Sequence, residues 1–310
     1  MSFDLNFPRA SGRMIARGVI KASEEDFYVE ELMNPDLSND GEHAWLWVEK
    51  IGQNTEYVAG LLADFSKVKK MDVGFSGMKD RWAQTRQWFS IYLGAKSEPI
   101  WRDFEVEGVR ILKTARHYKK LRRGEHQGNH FKIIVRELTD DESLISGLEA
   151  IKKQGFPNYY GPQRFGYHGA NLERGIRYFN GEIKASRSQR SFYLSAARSY
   201  LFNLNLADAV KSGRWLEDTI GGPLYGDSQE GVVPVSGDEQ GYLDQNPVLA
   251  KGIHKNRLKL DRRSYCIVPV SMFWNQEGDM LSLNFDLPTG IFATSLLAEI
   301  LDYRVLLGEA

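Results

Sequence analysis

The sequence predicts an α/β protein of the α+β kind, in which a strand-rich domain is interrupted by a mostly helical segment. Strand patterns alternate with helical patterns in the first half and return after residue 261, whereas residues 158–259 combine a long helical pattern with glycine-rich and acidic loops. The 310 residues also exceed what one compact domain usually holds. We therefore expect two domains, one of them inserted into the other.

The first half supplies most of the predicted strands. Asn54 is a predicted helix cap, because apolar residues follow it at helical spacing. The later strands show the alternation that places every second side chain on the same face. The predicted strands are residues 19–29, 43–48, 87–93 and 131–135.

The glycine and proline at 155 and 157 indicate a boundary before the inserted segment. Within that segment, residues 192–210 are predicted to form a long helix. Strands follow at 265–272 and 280–287, and a last helix is expected to be capped by Thr294 or Ser295.

Composition narrows the class of protein. The hydrophobic fraction is 42% and the charged fraction 26%, which are ordinary values for a soluble globular protein. The single cysteine, Cys266, excludes an intramolecular disulfide and fits a reducing cytoplasm. Because the sequence shows neither a signal peptide nor a membrane-spanning apolar run, we expect a soluble, cytoplasmic protein.

The charge is unevenly distributed although the net charge is only −1. Residues 24–42 hold eight acidic residues and no Lys or Arg, whereas residues 110–124 hold seven basic residues and no acid. Such a basic run is either a solvated stretch or a face for RNA phosphates. The residues that would contact phosphates there are Arg116, Lys119, Lys120, Arg122 and Arg123.

The segment GMKDRWAQTRQ, residues 77–87, contains the main candidate for chemistry. It joins a short predicted strand to the next one, and its glycine permits a sharp turn. Lys79 and Arg81 flank Asp80, and nearby cations favour the ionised carboxylate that a nucleophile requires. The alternative is an ordinary surface loop with solvated charges.

The segment GNHF, residues 128–131, directly follows the basic run. Phe131 is either a platform for a nucleobase or a core residue. Asn129 offers both a donor and an acceptor, which match the edge of a uracil.

The segment NYYGPQRFG, residues 158–166, combines aromatic residues and glycines with Arg164. Its planar guanidinium suits a carboxylate or a phosphate, and a structural role is equally compatible with the pattern. Arg187, Arg190 and Arg198 lie in the following helical region, where they either bind phosphates or form a solvated face. Because only six histidines and one cysteine are present, and P-loop, GxGxxG and GxSxG patterns are absent, we expect neither metal nor cofactor.

Six blocks in order make the sequence similar to the TruD family of pseudouridine synthases. They span about residues 18–301, and the longest are PNYYGPQRFG and RSFYLSAARSYLFN; the others are FYVEE, GMKDRWAQTRQW, GNHF and LPTGIFATSLLAEI. The resemblance implies the pseudouridine synthase fold, with a mixed, largely antiparallel sheet. It places the catalytic domain at 1–154 and 262–310, and a family-specific insertion domain at 155–261.

The resemblance also implies residue roles. Asp80 falls on the catalytic carboxylate, and Phe27, Asn129 and Phe292 fall on positions that bind the target nucleotide. Lys21 and Phe131 match further pocket residues, and Glu30 matches a polar position. The implied reaction is isomerisation of uridine, at U13 in the D arm for the bacterial type, in tRNA.

For this reaction the base must first leave its stack. We expect Phe131 or Phe292 to stack on the flipped base while Asn129 contacts its edge. Three routes stay open for Asp80: attack on the ribose, attack on the base, or proton abstraction. The alternatives are the same chemistry on another RNA, and a non-catalytic RNA-binding protein. We expect a monomer without an obligate protein partner.

Overall fold

The structure is a computed structural model that describes residues 3–12, 16–139 and 143–308. Its helices and strands follow in chain order: β1 (Ala16–Ile20), β2 (Phe27–Leu32), β3 (His43–Ile51), α1 (Thr55–Phe65), β4 (Val73–Phe75), β5 (Gln84–Tyr92), β6 (Val109–His117), β7 (Gly128–Thr139), α2 (Leu144–Gln154), β8 (Phe156–Pro157), α3 (Ala170–Phe179), α4 (Arg187–Lys211), β9 (Gly222–Leu224), α5 (Gly237–Gln245), α6 (Pro247–Lys255), β10 (Asp261–Arg263), β11 (Cys266–Ile267), β12 (Val270–Glu277), β13 (Met280–Pro288), α7 (Ala293–Ile300) and β14 (Leu301–Val305). The predicted mixed α/β fold is confirmed.

The chain forms two compact units whose borders differ from the predicted ones. The sheet unit comprises Ala16–Asp141, Pro269–Ile291 and Asp302–Ala310, and the helical unit comprises Met1–Ile15, Glu142–Val268 and Phe292–Leu301. The N-terminal segment, α2 and α7 thus belong to the helical unit, although the predicted borders place them in the catalytic domain. Helices α2 and α7 fall into the same unit in part because they pack against each other.

A large mixed sheet forms the sheet unit. Its described strands are ordered β12-β13-β7-β2-β5-β3-β6, with β1 beside β7 and β14, and β4 beside β5. The β2–β5 pair is parallel, whereas the neighbouring pairs β2–β7, β3–β5 and β13–β7 are antiparallel. The register of β2 on β7 sets Glu31 opposite Asn129 and Val29 opposite Phe131.

Alternation along the strands separates two faces of this sheet. Leu46 and Val48 of β3 pack with Phe89 of β5 and with the apolar side of α1. Trp47 and Trp88 lie in a different cluster, as alternation requires. The alternation along each strand thereby determines which side chains face α1.

Two predicted boundaries were wrong in informative ways. The strand expected at 19–29 is split into β1 and β2 by the short 3-10 helix Glu24–Asp26, whose Ser23 and Asp26 form a capping box. The last helix begins at Ala293 with Phe292 at the N-cap, ahead of the predicted caps Thr294 and Ser295. The apolar pattern fixes the buried face of a helix but not its first residue.

The helical unit is built around α4. This helix starts five residues before the prediction because Ser186 and Gln189 form a capping box at its N-terminus. Helices α3 and α6 pack against α4. Gly155 ends α2 with a φ of 91°, and a β-carbon there would lie 2.5 Å from the carbonyl oxygen of Ile267, so the position requires glycine.

Candidate active site

The loop that carries Asp80 is fixed by buried polar side chains. Lys50 Nζ donates to the backbone carbonyl of Asp80 at 2.7 Å. Thr55 Oγ1 accepts from the backbone N–H of Lys79 at 3.0 Å, and Gln87 donates to a carbonyl of the same loop at 3.0 Å. Lys50, Thr55 and Gln87 are fully buried. This loop is therefore anchored to the sheet, in contrast to an ordinary solvated surface loop.

The carboxylate of Asp80 is held by a residue distant in sequence. Its Oδ2 forms an ion pair with Lys21 Nζ, and its Oδ1 accepts from the backbone N–H of Trp82 at 3.0 Å. Neither flanking cation pairs with it among the described residues, because Lys79 turns to Glu31 and Arg81 donates to a backbone carbonyl. The Asp80 side chain keeps 30% of its surface exposed, so a substrate can reach it.

Lys21 reaches Asp80 because of the break between β1 and β2. It lies in the left-handed region with a φ of 53°, and its side chain is almost fully buried. Its Nζ lies 4.6 Å from the ring centre of Phe27, which adds a cation–π contact. The strand predicted over 19–29 would have kept Lys21 in extended backbone, whereas the observed break gives it a positive φ.

Burial lowers the pKa values of the two other lysines of the site. The pKa of Lys50 falls to about 8 because burial penalises its charge, although the charge of Asp80 opposes this. Burial also lowers the pKa of Lys79, and Glu31 opposes that shift from 3.4 Å. Cations with perturbed pKa values around a carboxylate are typical of functional sites.

A buried polar network links Asn129 to this loop. Lys79 Nζ donates to Asn129 Oδ1 at 2.6 Å and pairs with Glu31. Ser76 donates to Glu31 at 2.8 Å and also contacts His126, whose pKa is lowered by burial and then by the charge of Lys79. The network orients the Asn129 amide.

Sequence reasoning missed Lys50, Glu31, Ser76 and His126. Glu30 was singled out instead, yet it lies on the other face of β2, where it contacts Arg86. Alternation along β2 was the available signal, since Phe27 and Glu31 are four residues apart and therefore share a face.

Phe27 and Phe131 are both buried, with 5% and 6% exposure. Their rings meet edge to face with centres 6.4 Å apart, and Phe131 stacks on Phe285 at 5.4 Å. Phe131 therefore takes the core position that the sequence left open, and its ring offers no free face for a base in this structure.

Phe292 belongs to the helical unit. It is half-buried, and its ring lies 6.2 Å from that of Tyr160. The guanidinium of Arg164 lies 5.6 Å from the Phe292 ring. Arg190, in the first turn of α4, is exposed.

Several cations of the basic run in the sheet unit already contact other groups of the protein. Arg116 donates to a backbone carbonyl at 2.9 Å, and Lys120 also donates to one. Arg123 lies 4.1 Å over an aromatic ring. Lys119 and Arg122 are exposed and remain candidates for phosphate contacts, although Lys119 Nζ lies 5.6 Å from the ring centre of Tyr118.

The described residues contain no group of three or more His, Cys, Asp and Glu side chains that would hold a metal ion. No described helix is long and apolar enough to cross a membrane. The site instead consists of a partly exposed carboxylate, a buried lysine paired with it and an oriented amide. Enzyme sites commonly combine a reachable carboxylate with buried cations in this way.

Comparison with known proteins identifies the family. The family model described as tRNA pseudouridine synthase D (TruD) matches residues 11–176, more than half of the chain. The chain therefore belongs to the TruD family, as the sequence blocks predicted.

Similar proteins span nearly the whole chain. The tRNA pseudouridine synthase D of Methylococcus capsulatus is 38% identical over 96% of this chain and 95% of its own length. That of Cellvibrio japonicus is 40% identical over 96% and 93%. A solved structure from Methanosarcina mazei, described as a candidate TruD protein, superposes with a TM-score of 0.68 at 18% identity and covers 91% of this chain and 93% of its own. At that identity it shows the shared fold alone.

Proposed function

We propose that this protein converts uridine 13 in the D arm of tRNA to pseudouridine, with Asp80 as the catalytic carboxylate on a flipped-out base. Family membership makes the protein a tRNA pseudouridine synthase, an intramolecular isomerase. The observation that carries the role of Asp80 is its ion pair with buried Lys21 on a carboxylate that stays 30% exposed.

The proposed reaction is an isomerisation whose bonds and protons balance within the uridine itself. The bond between the ribose C1′ and the uracil N1 breaks, the base turns, and a bond from C1′ to C5 forms. The proton lost from C5 is balanced by one gained at N1, so the isomerisation is redox-neutral. Asp80 acts by one of three routes: attack on the ribose, attack on the base, or proton abstraction. In each route Lys21 stabilises the negative charge of the carboxylate.

We assign recognition of the base edge to Asn129 of the sheet unit, and we keep Phe292 as a separate nucleotide contact of the helical unit. Lys79 occupies Asn129 Oδ1, which leaves the amide N–H groups of Asn129 to donate to a uracil carbonyl. Phe292 is a partly exposed aromatic candidate for stacking, whereas Phe27 lies under Lys21 and packs edge to face on Phe131. Unstacking the target nucleotide costs a few kcal/mol, roughly, which stacking on an aromatic ring offsets.

We assign RNA backbone contacts to the exposed cations. Lys119 and Arg122 of the basic run carry this role best, and Arg190 is equally accessible in the helical unit. We place the reaction in the cytoplasm, in agreement with the single, free Cys266.

The decisive experiment is pseudouridine formation on an unmodified tRNA transcript, mapped by carbodiimide-dependent reverse-transcription stops. Asp80→Asn keeps the side-chain shape and removes the carboxylate, which all three routes require. We expect the stop at U13 to depend on Asp80, with a rate at least about 10³-fold lower in the variant. Its affinity for tRNA should stay within about twofold, since phosphate contacts supply most of the affinity.

Asp103→Asn is the matched control, because Asp103 is an exposed aspartate of the same unit. It should react at the wild-type rate. Appreciable turnover by Asp80→Asn would refute the catalytic role of Asp80. A stop at another position or in another RNA would change the substrate, and tight binding without any stop would indicate a non-catalytic RNA-binding protein.

A further inference from the structure

A cavity of about 220 Å³ in the helical unit lies beside α4, between Tyr160 and Arg198. We call it the arginine cavity. Serine hydroxyls line it together with apolar side chains; its wall consists of Tyr160, Ser191, Leu194, Ser195, Arg198, Ser199, Leu224 and Leu258. It has room for several waters or one larger polar group, since a water takes up about 30 Å³ of liquid.

Arg198 is held in the wall of the arginine cavity by backbone carbonyls. Its Nη2 donates to Leu224 at 2.6 Å and to Lys259 at 2.9 Å. Its Nε is buried and has no hydrogen-bond partner. Burial lowers the pKa of Arg198, so its charge lies in a poorly solvated place. One of the two interpretations of the sequence placed Arg198 on a solvated face of its helix. In the structure its guanidinium is instead bound to backbone carbonyls.

Arg164, on the 3-10 helix Pro162–Phe165, contacts two residues of the cavity wall from outside the lining. Its Nη1 donates to Ser195 Oγ at 2.9 Å, and its guanidinium lies 5.2 Å from the ring centre of Tyr160. Like Arg198, it has a buried Nε without a partner. Arg198 thus lines the cavity, and Arg164 is hydrogen-bonded to a residue of its wall.

Within the part of the chain that is described, no carboxylate forms an ion pair with these two arginines, although the charge of Asp261 opposes the lowered pKa of Arg198. Arg262 of the same unit, in contrast, binds Glu239 through both ends of its guanidinium. Arg263 adds positive charge, because its guanidinium lies 4.1 Å from the Tyr160 ring centre. Buried guanidinium groups are stabilised by acceptors and by opposite charge, so a cavity lined by Arg198 and bonded to Arg164 suits an anion.

The chemistry of that anion follows from the donors. Guanidinium groups and hydroxyls suit a group with several acceptor oxygens in a tetrahedral arrangement, which is a phosphoryl group. Both arginines are only partly buried, and Arg187 and Arg190 lie exposed in the first turn of the same helix. The exposed arginines of this turn favour a phosphate that belongs to a polyanion over a small free ion.

We propose that the arginine cavity binds a backbone phosphodiester of the tRNA, through Arg164, Arg198 and the hydroxyl of Ser195. This inference rests on the proposed function. It identifies a positioning site in the helical unit that makes no contact with the reacting atoms.

The test measures tRNA affinity as a function of salt concentration in an Asp80→Asn background, so that binding is measured without turnover of the tRNA. Arg164→Gln and Arg198→Gln should each weaken binding about tenfold and reduce the slope of log affinity against log salt by roughly one. Arg164→Lys keeps the charge and should keep the slope, while the loss of the planar fork still weakens binding. Arg177→Gln is the control, since Arg177 is an exposed arginine of the same unit.

The proposal is overturned if affinity and slope stay at the control level in Arg164→Gln, which changes no backbone contact. Inorganic phosphate separates the two sources of the anion: if it raises the melting temperature of the parent but not of Arg164→Gln, and tRNA binding is unaffected, the cavity is a site for free phosphate. Failure of the proposed function would appear differently, as an unmodified U13 with wild-type protein.

Discussion

Two buried lysines of the sheet unit pair with carboxylates, whereas two arginines of the helical unit do not. Lys21 pairs with Asp80 and Lys79 with Glu31. Arg164 and Arg198 have only neutral partners among the described residues, in hydroxyl and carbonyl oxygens. In the first region the protein's own carboxylates balance the buried cations. In the second, the arginines have no ion-pair partner among the described residues, and they are the groups to which we assign an anion of the substrate.

The largest stability effect expected from this comparison concerns Glu31, whose side chain is fully buried. Glu31→Gln leaves Lys79 buried without a carboxylate, and such a loss costs about 3–5 kcal/mol. The free energy of unfolding from urea titration at pH 7 should fall by that amount. In the variant the buried Lys79 can lose its proton, which removes the unbalanced charge. The loss of unfolding free energy should therefore become smaller as the pH rises.

An exposed pair of the same unit provides the control. Glu137 and Arg304 lie 3.2 Å apart with side chains about two-thirds exposed. Glu137→Gln should cost no more than about 1 kcal/mol. A similarly small loss for Glu31→Gln would mean that the sheet unit does not depend on its charge balance.

A second test concerns Glu299, a buried carboxyl of the helical unit. Its Oε2 accepts from the backbone N–H of Ala10 at 2.7 Å, and burial raises its pKa from 4.5 to about 7 although Arg9 opposes this. The folded state therefore holds the proton more tightly than the unfolded state. The resulting stability is present below pH 4.5 and is lost as the pH rises through 7, by about 3 kcal/mol.

Thermal melts from pH 4.5 to 8 would detect this effect. Glu299→Gln cannot ionise, so it should match the wild type near pH 5 and exceed it at pH 8. Glu149→Gln, at an exposed position of α2, should follow the wild-type curve throughout. If Glu299→Gln showed the same pH dependence as the wild type, the burial of this carboxyl would not have the assigned effect.

The smallest effects concern helix caps, and they should not distinguish the units. Asn54 accepts from the backbone N–H of Glu56 at 2.9 Å in the sheet unit, and Ser186 accepts from that of Gln189 at 3.2 Å in the helical unit. Each alanine substitution should cost about 1 kcal/mol in urea unfolding. Unequal losses would show that the units differ in local helix stability as well as in charge.

Much of the fold was predictable because it depends on local patterns. The strands near 43–48 and 280–287, the cap Asn54 and the long helix of the inserted segment are all present. The break at Lys21 was not predicted, because the local strand pattern continues across it while a capping box at Ser23 and Asp26 interrupts the strand. The role of Asp80 stays a prediction that the geometry supports.

The sequence by itself determined the family, the mixed α/β class and the loop that carries Asp80, because motifs and periodicity are properties of neighbouring residues. Only the tertiary structure decided which charges meet. Lys79 and Arg81 flank Asp80 in sequence, yet Lys21 holds its carboxylate, 59 residues away along the chain. Strand register and burial select such partners, since a buried charge must be balanced by whatever group the fold brings within a few ångströms.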